Sequence, residues 1–388
     1  MRRLAKPGVV VLLCAIALAL SGPLVRRRPL IDFVEYWTAA HLYLAGENPY
    51  SLERMFHEEQ FVGFRGPEPL MLVNPPWFLP VLLPLGAMKS YFLARAMWFW
   101  ASIALLFFAA DRLWSIYGGP APARLVPLAL VLLFFPNWRC VSMGQLAPLL
   151  LLGIVGLLYF ERRGSLFTAG SFLAVTTVKP HLFYLVWLAA LLWSIQKREW
   201  RLLAGAVTAV AAAAAVAVAV NHAVFGQYIS LIRSGYTELF ASSVGGLLRY
   251  AFGRQHAWLQ FAPMLPGVAW LLWYWRKLGS HWSWTEQLPV LLTTSVLTAA
   301  YGWVNDQPVL MLPLIAAAVQ CAHEKRLRRL ASDWFFGMSL VSFAVAGYPS
   351  VIGMLVMPLG ILLYFATVAK RRNLRDAGRP QELSRAAA

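Results

Sequence analysis

Asp32 and Glu35 stand one helical turn apart in the run DFVEY at 32–36, and on so apolar a chain they are the natural candidates for proton transfer. Partial burial beside a membrane would raise a carboxylate pKa toward the working range of a general base, which puts Asp32 first and Glu35 in reserve. Asp32 equally suits a helix N-cap, and the two readings are compatible. Lys179-Pro180-His181 lies at the centre of the apolar stretch 166–195, whose roughly 45 Å as one helix is too long for a single straight crossing. A Pro-marked turn between two shorter helices is therefore expected. A lysine in mid-bilayer costs a few kcal/mol without a partner, whereas at an external turn Lys179, with His181, could hold a phosphate. The plainer alternative is a hydrated turn. Gln145, after Gly144, must find partners if buried, on another helix or on a sugar hydroxyl. Tyr36 shares a helical face with Asp32, Ala39 and Tyr43, and is a candidate to contact whatever binds beside the carboxylate. Asp306, in YGWVNDQP, either caps the helix at Pro308 or touches substrate. Arg139 and the run Arg26, Arg27, Arg28 complete the cations available to an anionic ligand.

The elements that must position these residues belong to a membrane. Of 388 residues, 60% are hydrophobic, 14% aromatic and only 13% charged, a composition foreign to soluble domains. The 34 Lys and Arg outnumber 17 Asp and Glu, an excess that fits polybasic cytoplasmic loops better than nucleic-acid binding. The three cysteines show no paired spacing, and the seven histidines show none suited to a metal. No Walker loop, nucleophile elbow or dinucleotide fingerprint is present, which weighs against an ATP-driven pump or a soluble-type catalytic domain.

About twelve spans (11–13) are predicted, near 8–25, 91–113, 124–137, 145–160, 166–178, 181–195, 202–221, 257–275, 287–303, 308–322, 333–347 and 350–369. The first is read as a retained anchor, because Arg26 to Arg28 stand where a signal-peptide cleavage site would belong. Basic clusters at 162–163, 197–201, 276–277, 325–329 and 370–372, placed inside, make both termini cytoplasmic and 26–90 one external region. The expected domain is a single integral membrane unit over 1–369 with a cytoplasmic tail from 370 to 388. Within 26–90, residues 32–46 read as a short amphipathic helix lying in the membrane interface with its aromatics at headgroup depth. The proline-rich run 70–88 reads as lying along or dipping into the outer leaflet instead of crossing. Small residues at 206–220 are expected to allow close helix packing.

Several of these pieces, in this order, resemble glycosyltransferase family 87: DFVEYWTAAHLYLAGENPY at 32–50, NPPWFLPVLLPLGAM at 74–88, MGQLAPLLLLG at 143–153, FTAGSFLAVTTVKPHLFYLVWL at 167–188, VGGLLRYAFG at 244–253 and YGWVNDQPVLMLP at 301–313. The resemblance implies a GT-C-type fold with juxtamembrane helices in the first external loop, in a bacterial plasma membrane. It implies an enzyme that moves a mannose-like or arabinose-like sugar from a polyprenyl-phosphate donor to an envelope glycan or glycolipid, with inversion. No cofactor or metal is then required, and the partners are donor, acceptor and membrane lipids, not nucleic acid. By position Asp32 is the base, and Lys179 in the K-P pair meets the donor phosphate. The chain departs from the family at Leu146 and Ala147, where an Asn commonly follows GQ, and at Ser242 and Ser243. A flippase or a non-catalytic envelope-assembly partner is the competing class, but repeat symmetry of the kind transporters carry is not evident in the sequence.

Overall fold

The structure is a computed structural model that describes residues 31–235, 243–278, 281–324 and 354–368, with single helical positions at 335, 337 and 341. Every regular element among the described residues is a helix. In chain order they are α1 (Ile31–Leu44), α2 (Leu52–Phe61), α3 (Leu79–Gly86), α4 (Tyr91–Ile116), α5 (Leu125–Leu133), α6 (Phe135–Met143), α7 (Ala147–Glu161) and α8 (Leu166–Leu173). There follow α9 (Pro180–Lys197), α10 (Arg201–Val220), α11 (Val224–Arg233), α12 (Val244–Phe252), α13 (Met264–Leu278), α14 (Trp284–Leu297), α15 (Met311–His323) and α16 (Met354–Val368). Short 3₁₀ turns at Pro76–Phe78, Ala174–Val178, Ala257–Gln260 and Val304–Leu310 lead into or out of them.

By length and composition two of these helices can cross a membrane alone, α4 and α10. A third crossing results if Ala121–Leu133 and Phe135–Met143 are counted as one span bent by 54°. Several others, such as α7 and α16, are apolar but shorter. The expected span 8–25 and most of 333–347 lie outside the described residues.

Three expectations require correction. The predicted span 124–137 is not one helix: Pro136 has no N–H to continue the ladder, and Phe134 takes an extended conformation between α5 and α6. The predicted spans 257–275 and 287–303 both shift, because the helices run Met264–Leu278 and Trp284–Leu297 and the chain is not helical at 299–303. The third concerns α1. Instead of one wet and one greasy side, it buries Phe33, Val34, Tyr36, Trp37, Ala39, Ala40, Leu42 and Tyr43, so it is a core helix enclosed by its neighbours. Its aromatics stack on the start of α4, with Phe33 against Tyr91 and Trp98 at 6.0 and 5.7 Å between ring centres.

Residues 70–88 behave as their prolines demand. Only α3 is α-helical there, and its eight residues cover about 12 Å, too short to cross. α3 lies against α1, where the Gly86 carbonyl meets the His41 ring at 3.3 Å. Helices α8 and α10 approach each other closely. A Cβ on Gly205 would sit 1.9 Å from the Phe167 carbonyl oxygen, so only glycine admits this approach. The close packing expected of the small-residue ladder therefore falls at the first turns of α10, while most of its Ala and Val side chains beyond are partly or fully exposed. One buried cluster extends from Phe33 to Ile361 and ties the helices together.

Candidate active site

Four breaks in regular structure, far apart in the chain, meet beside the first turn of α1. The first is the turn between α6 and α7. Gly144 takes a left-handed conformation (φ +79°) to end α6, and its carbonyl accepts from the Trp98 indole at 2.7 Å, which fixes where Gln145 begins. The second is the gap before α9. Lys179 precedes Pro180, which disfavours helical backbone, and adopts φ −132° and ψ 69°. The third is Asn74, just ahead of Pro75 and Pro76, whose amide donates to the Val178 carbonyl at 3.1 Å and pins the residue before Lys179. Trp77 and Trp187 hold the same 3₁₀ turn through Thr177 and Thr176, at 3.0 and 2.9 Å. The fourth is Val304–Leu310, where Asp306 Oδ2 accepts from the Trp303 N–H at 3.0 Å.

Gln145 joins what these breaks present. Its Nε2 donates to Asp32 Oδ2 at 2.6 Å, and its Oε1 accepts from Lys179 Nζ at 2.9 Å and from the Tyr36 hydroxyl at 3.1 Å. The amide can satisfy an acceptor-only carboxylate and a donor-only ammonium in this orientation alone. Lys179 Nζ also pairs with Asp306 Oδ1 at 2.6 Å, both side chains being buried. Asn305 Nδ2 approaches Asp32 Oδ2 at 3.4 Å. Both donors to Asp32 thus converge on Oδ2. Lys179, with three N–H groups, uses two of them within the protein.

Burial pushes the Asp32 carboxyl above the usual carboxylate range and the nearby Asp306 adds to this, while the Gln145 hydrogen bond and the charges of Lys179 and Arg139 pull it back. Glu35 is driven well above the usual carboxylate range, by burial first and then by Asp32, while the charge of Lys179 opposes this.

The structure therefore brings Asp32, Tyr36, Gln145, Lys179 and Asp306 into one connected set. Asp32 does not act as a helix cap here, since it lies within the first turn of α1 and its carboxylate turns to Gln145 and Asn305. Asp306 keeps its capping bond and adds the lysine. The turn at Lys179 is buried and ion-paired, so simple hydration does not describe it. His181 lies one residue into α9, its ring edge-on to Tyr301 at 5.8 Å and its buried Nε2 without a hydrogen-bond partner. Arg139 is exposed on α6 and reaches Asp32 through its charge alone. Arg26, Arg27 and Arg28 lie outside the described residues. Asn305, Asn74 and Trp98 went unnoticed in the sequence: the two amides sit in loop-like WVND and NPP contexts, and Trp98 reads as one more apolar residue of a span. Among the described residues no group of three or more His, Cys, Asp or Glu is placed to hold a metal ion.

No curated protein and no solved structure matches the chain. The model of glycosyltransferase family 87 matches residues 72–313, a stretch that contains Gln145, Lys179, Asn305 and Asp306 but begins after Asp32 and Tyr36. That match takes in well over half of the sequence, and the chain belongs to glycosyltransferase family 87.

Proposed function

We propose that this membrane glycosyltransferase moves a mannose-like or arabinose-like sugar from a polyprenyl-phosphate donor to an envelope glycan or glycolipid, with Asp32 as general base and inversion at the anomeric carbon. The observation that carries the reading is the anchoring of Asp32 through one oxygen. Gln145 and Asn305 both address Oδ2, which leaves Oδ1 to accept a proton. In the step proposed, the acceptor hydroxyl gives its proton to Oδ1 as its oxygen bonds to the anomeric carbon. The bond from that carbon to the phosphate oxygen breaks, and the electron pair leaves with the lipid phosphate.

Lys179 is no free cation, because Asp306 already balances its charge. Its contribution to a donor phosphate is its third N–H, a directed hydrogen bond. The balance of positive charge is assigned to Arg139 and, from the sequence alone, to Arg26, Arg27 and Arg28, with His181 as a further candidate for the phosphate. Tyr36, Gln145 and Asp306 are the residues assigned to the sugar and acceptor. Glu35 is the reserve candidate for the base. With the basic clusters taken as cytoplasmic, the reading has this site on the external face of a bacterial plasma membrane, both termini inside and about twelve spans in a GT-C-type fold.

Membranes carrying the full chain, loaded with radiolabelled polyprenyl-phosphate sugar, provide the test. The wild type should consume donor and release polyprenyl phosphate, while Asp32→Asn should lose about 10²- to 10⁴-fold in turnover at unchanged expression. Near-normal turnover by Asp32→Asn rejects the base. Movement of intact donor across the bilayer without its consumption would point to a flippase.

A further inference from the structure

The segment from Ser243 to Phe261 is inside out by the standards of a water-facing loop. α12 turns Gly245, Gly246 and Arg249 inward, and the turn after it buries Gln260. Its interior is polar and fully bonded. Arg249 donates through Nε and Nη2 to the Arg254 carbonyl at 3.2 and 2.8 Å and through Nη1 to Gln260 Oε1 at 3.3 Å. Gln260 Nε2 donates to Ser243 Oγ at 2.9 Å and to the Ala300 carbonyl, which Ser243 Oγ also reaches at 2.7 Å.

The outward side is the apolar one. Tyr250, Phe252 and Trp258 are 70, 68 and 67% exposed, with Leu247 and Phe261 also exposed beside them. A helix with its polar groups satisfied within and its aromatics outside has no stable place in water, where such a patch is a liability. Its natural surroundings are lipid. At nine residues α12 covers about 13 Å and cannot cross, so it would lie along the bilayer surface. Two further observations favour lipid over a protein partner. Exposed apolar side chains recur just beyond it, at Leu265, Leu272 and Trp273 of α13. Exposed Arg254 and His256 punctuate the aromatics, the pairing that suits phosphate headgroups above an apolar layer.

We infer that residues 244–261 are a bilayer-docked element whose outward aromatics sit among the headgroups and upper acyl chains of one leaflet, and not part of an aqueous loop. This goes beyond the transfer reaction and does not depend on it. The hydrogen bonds from Ser243 and Gln260 to Ala300 make the element a mechanical neighbour of the chain that carries Asn305 and Asp306.

Nitroxide labels at Tyr250→Cys and Trp258→Cys, with Cys14 replaced by Ser, would report depth in phosphatidylcholine–phosphatidylglycerol proteoliposomes. Cys140 and Cys321 are buried. Oxygen collisions should exceed those with an aqueous nickel chelate severalfold at both positions, with the order reversed at His57→Cys on charged, exposed α2. Dominance of the nickel chelate at 250 and 258 would overturn the inference in favour of water. Low collision rates with both reagents would overturn it in favour of a covering protein. The unmodified chain gives an independent reading should a variant fail to fold. A diazirine-bearing phospholipid should leave adducts on peptides covering 247–261, and their absence while α10 is labelled would count against docking.

Discussion

Lys179 Nζ and Asp306 Oδ1 lie 2.6 Å apart although 127 positions separate them in the chain. The pair closes α9 onto the 3₁₀ turn before α15, and it leaves the Asp32 carboxylate facing an ammonium whose charge is already met. The site is thus organised around one amide, with its charges arranged on either side of it.

Removing either member of that pair should destabilise the protein strongly, because each leaves a buried charge alone. Lys179→Met and Asp306→Leu are each expected to cost about 3 kcal/mol, and the double variant much less than the sum. Unfolding in detergent, followed by tryptophan fluorescence across this double-mutant cycle, measures the coupling. A sum that is simply additive would mean the contact contributes nothing.

Gln145→Ala should act on the base through its proton affinity. The hydrogen bond from Gln145 favours ionised Asp32, so its loss raises a carboxyl that burial has already pushed up. The acid limb of the kcat/KM profile should then move to higher pH, with turnover lowered even on the plateau. An unchanged limb would separate Asp32 from the titration.

Glu59 gives a pH signature unrelated to turnover. It is wholly buried on α2, accepts from the Leu70 N–H at 3.0 Å through Oε2, and has no partner at Oε1. Burial raises its carboxyl to about 7, while the Leu70 bond opposes this. A raised carboxylate favours the folded state below its unfolded value near 4.5 and loses that advantage as pH climbs through 7. Stability should therefore fall by about 3 kcal/mol from pH 4.5 to pH 8, and Glu59→Gln should flatten the slope. Equal slopes for the two proteins would exclude Glu59 as its source.

Gly205→Leu should disrupt the contact of α8 with α10, because even its first side-chain carbon would overlap the Phe167 carbonyl. Overpacking of this kind costs about 1–3 kcal/mol, and the backbone shift it demands would raise that. Gly226→Ala on α11, where nothing lies within 4 Å of a built Cβ, is the matched control and should be nearly silent. Melting temperatures in detergent compare the two.

What could be read from the sequence was local. The long apolar runs that became α4 and α10 carry their own signal, and so does the Lys179-Pro180 break, since proline fixes backbone whatever surrounds it. The candidate residues were found by type, one at a time. Their meeting was not readable, because Asp32 and Gln145 are 113 positions apart and periodicity says nothing about which loop faces which. The same limit explains α1. Its mixed composition suggested a helix half in water, and only the neighbours that cover it, α3 and the head of α4, make it a core element. Phe134 escaped notice because a bend inside an apolar run leaves hydrophobicity unchanged.

The proton acceptor proposed for the reaction arrives on a different piece of polypeptide from the groups that orient it. α1 brings Asp32, while the family-matched stretch from 72 onward brings the glutamine, the lysine and both members of the Asn305-Asp306 pair. Exposed Pro67 and Glu68 lie on the tether between them. A chain severed there and co-expressed as two fragments would have to regain its base by docking, and so would turn catalysis into a direct report of whether α1 has found its berth.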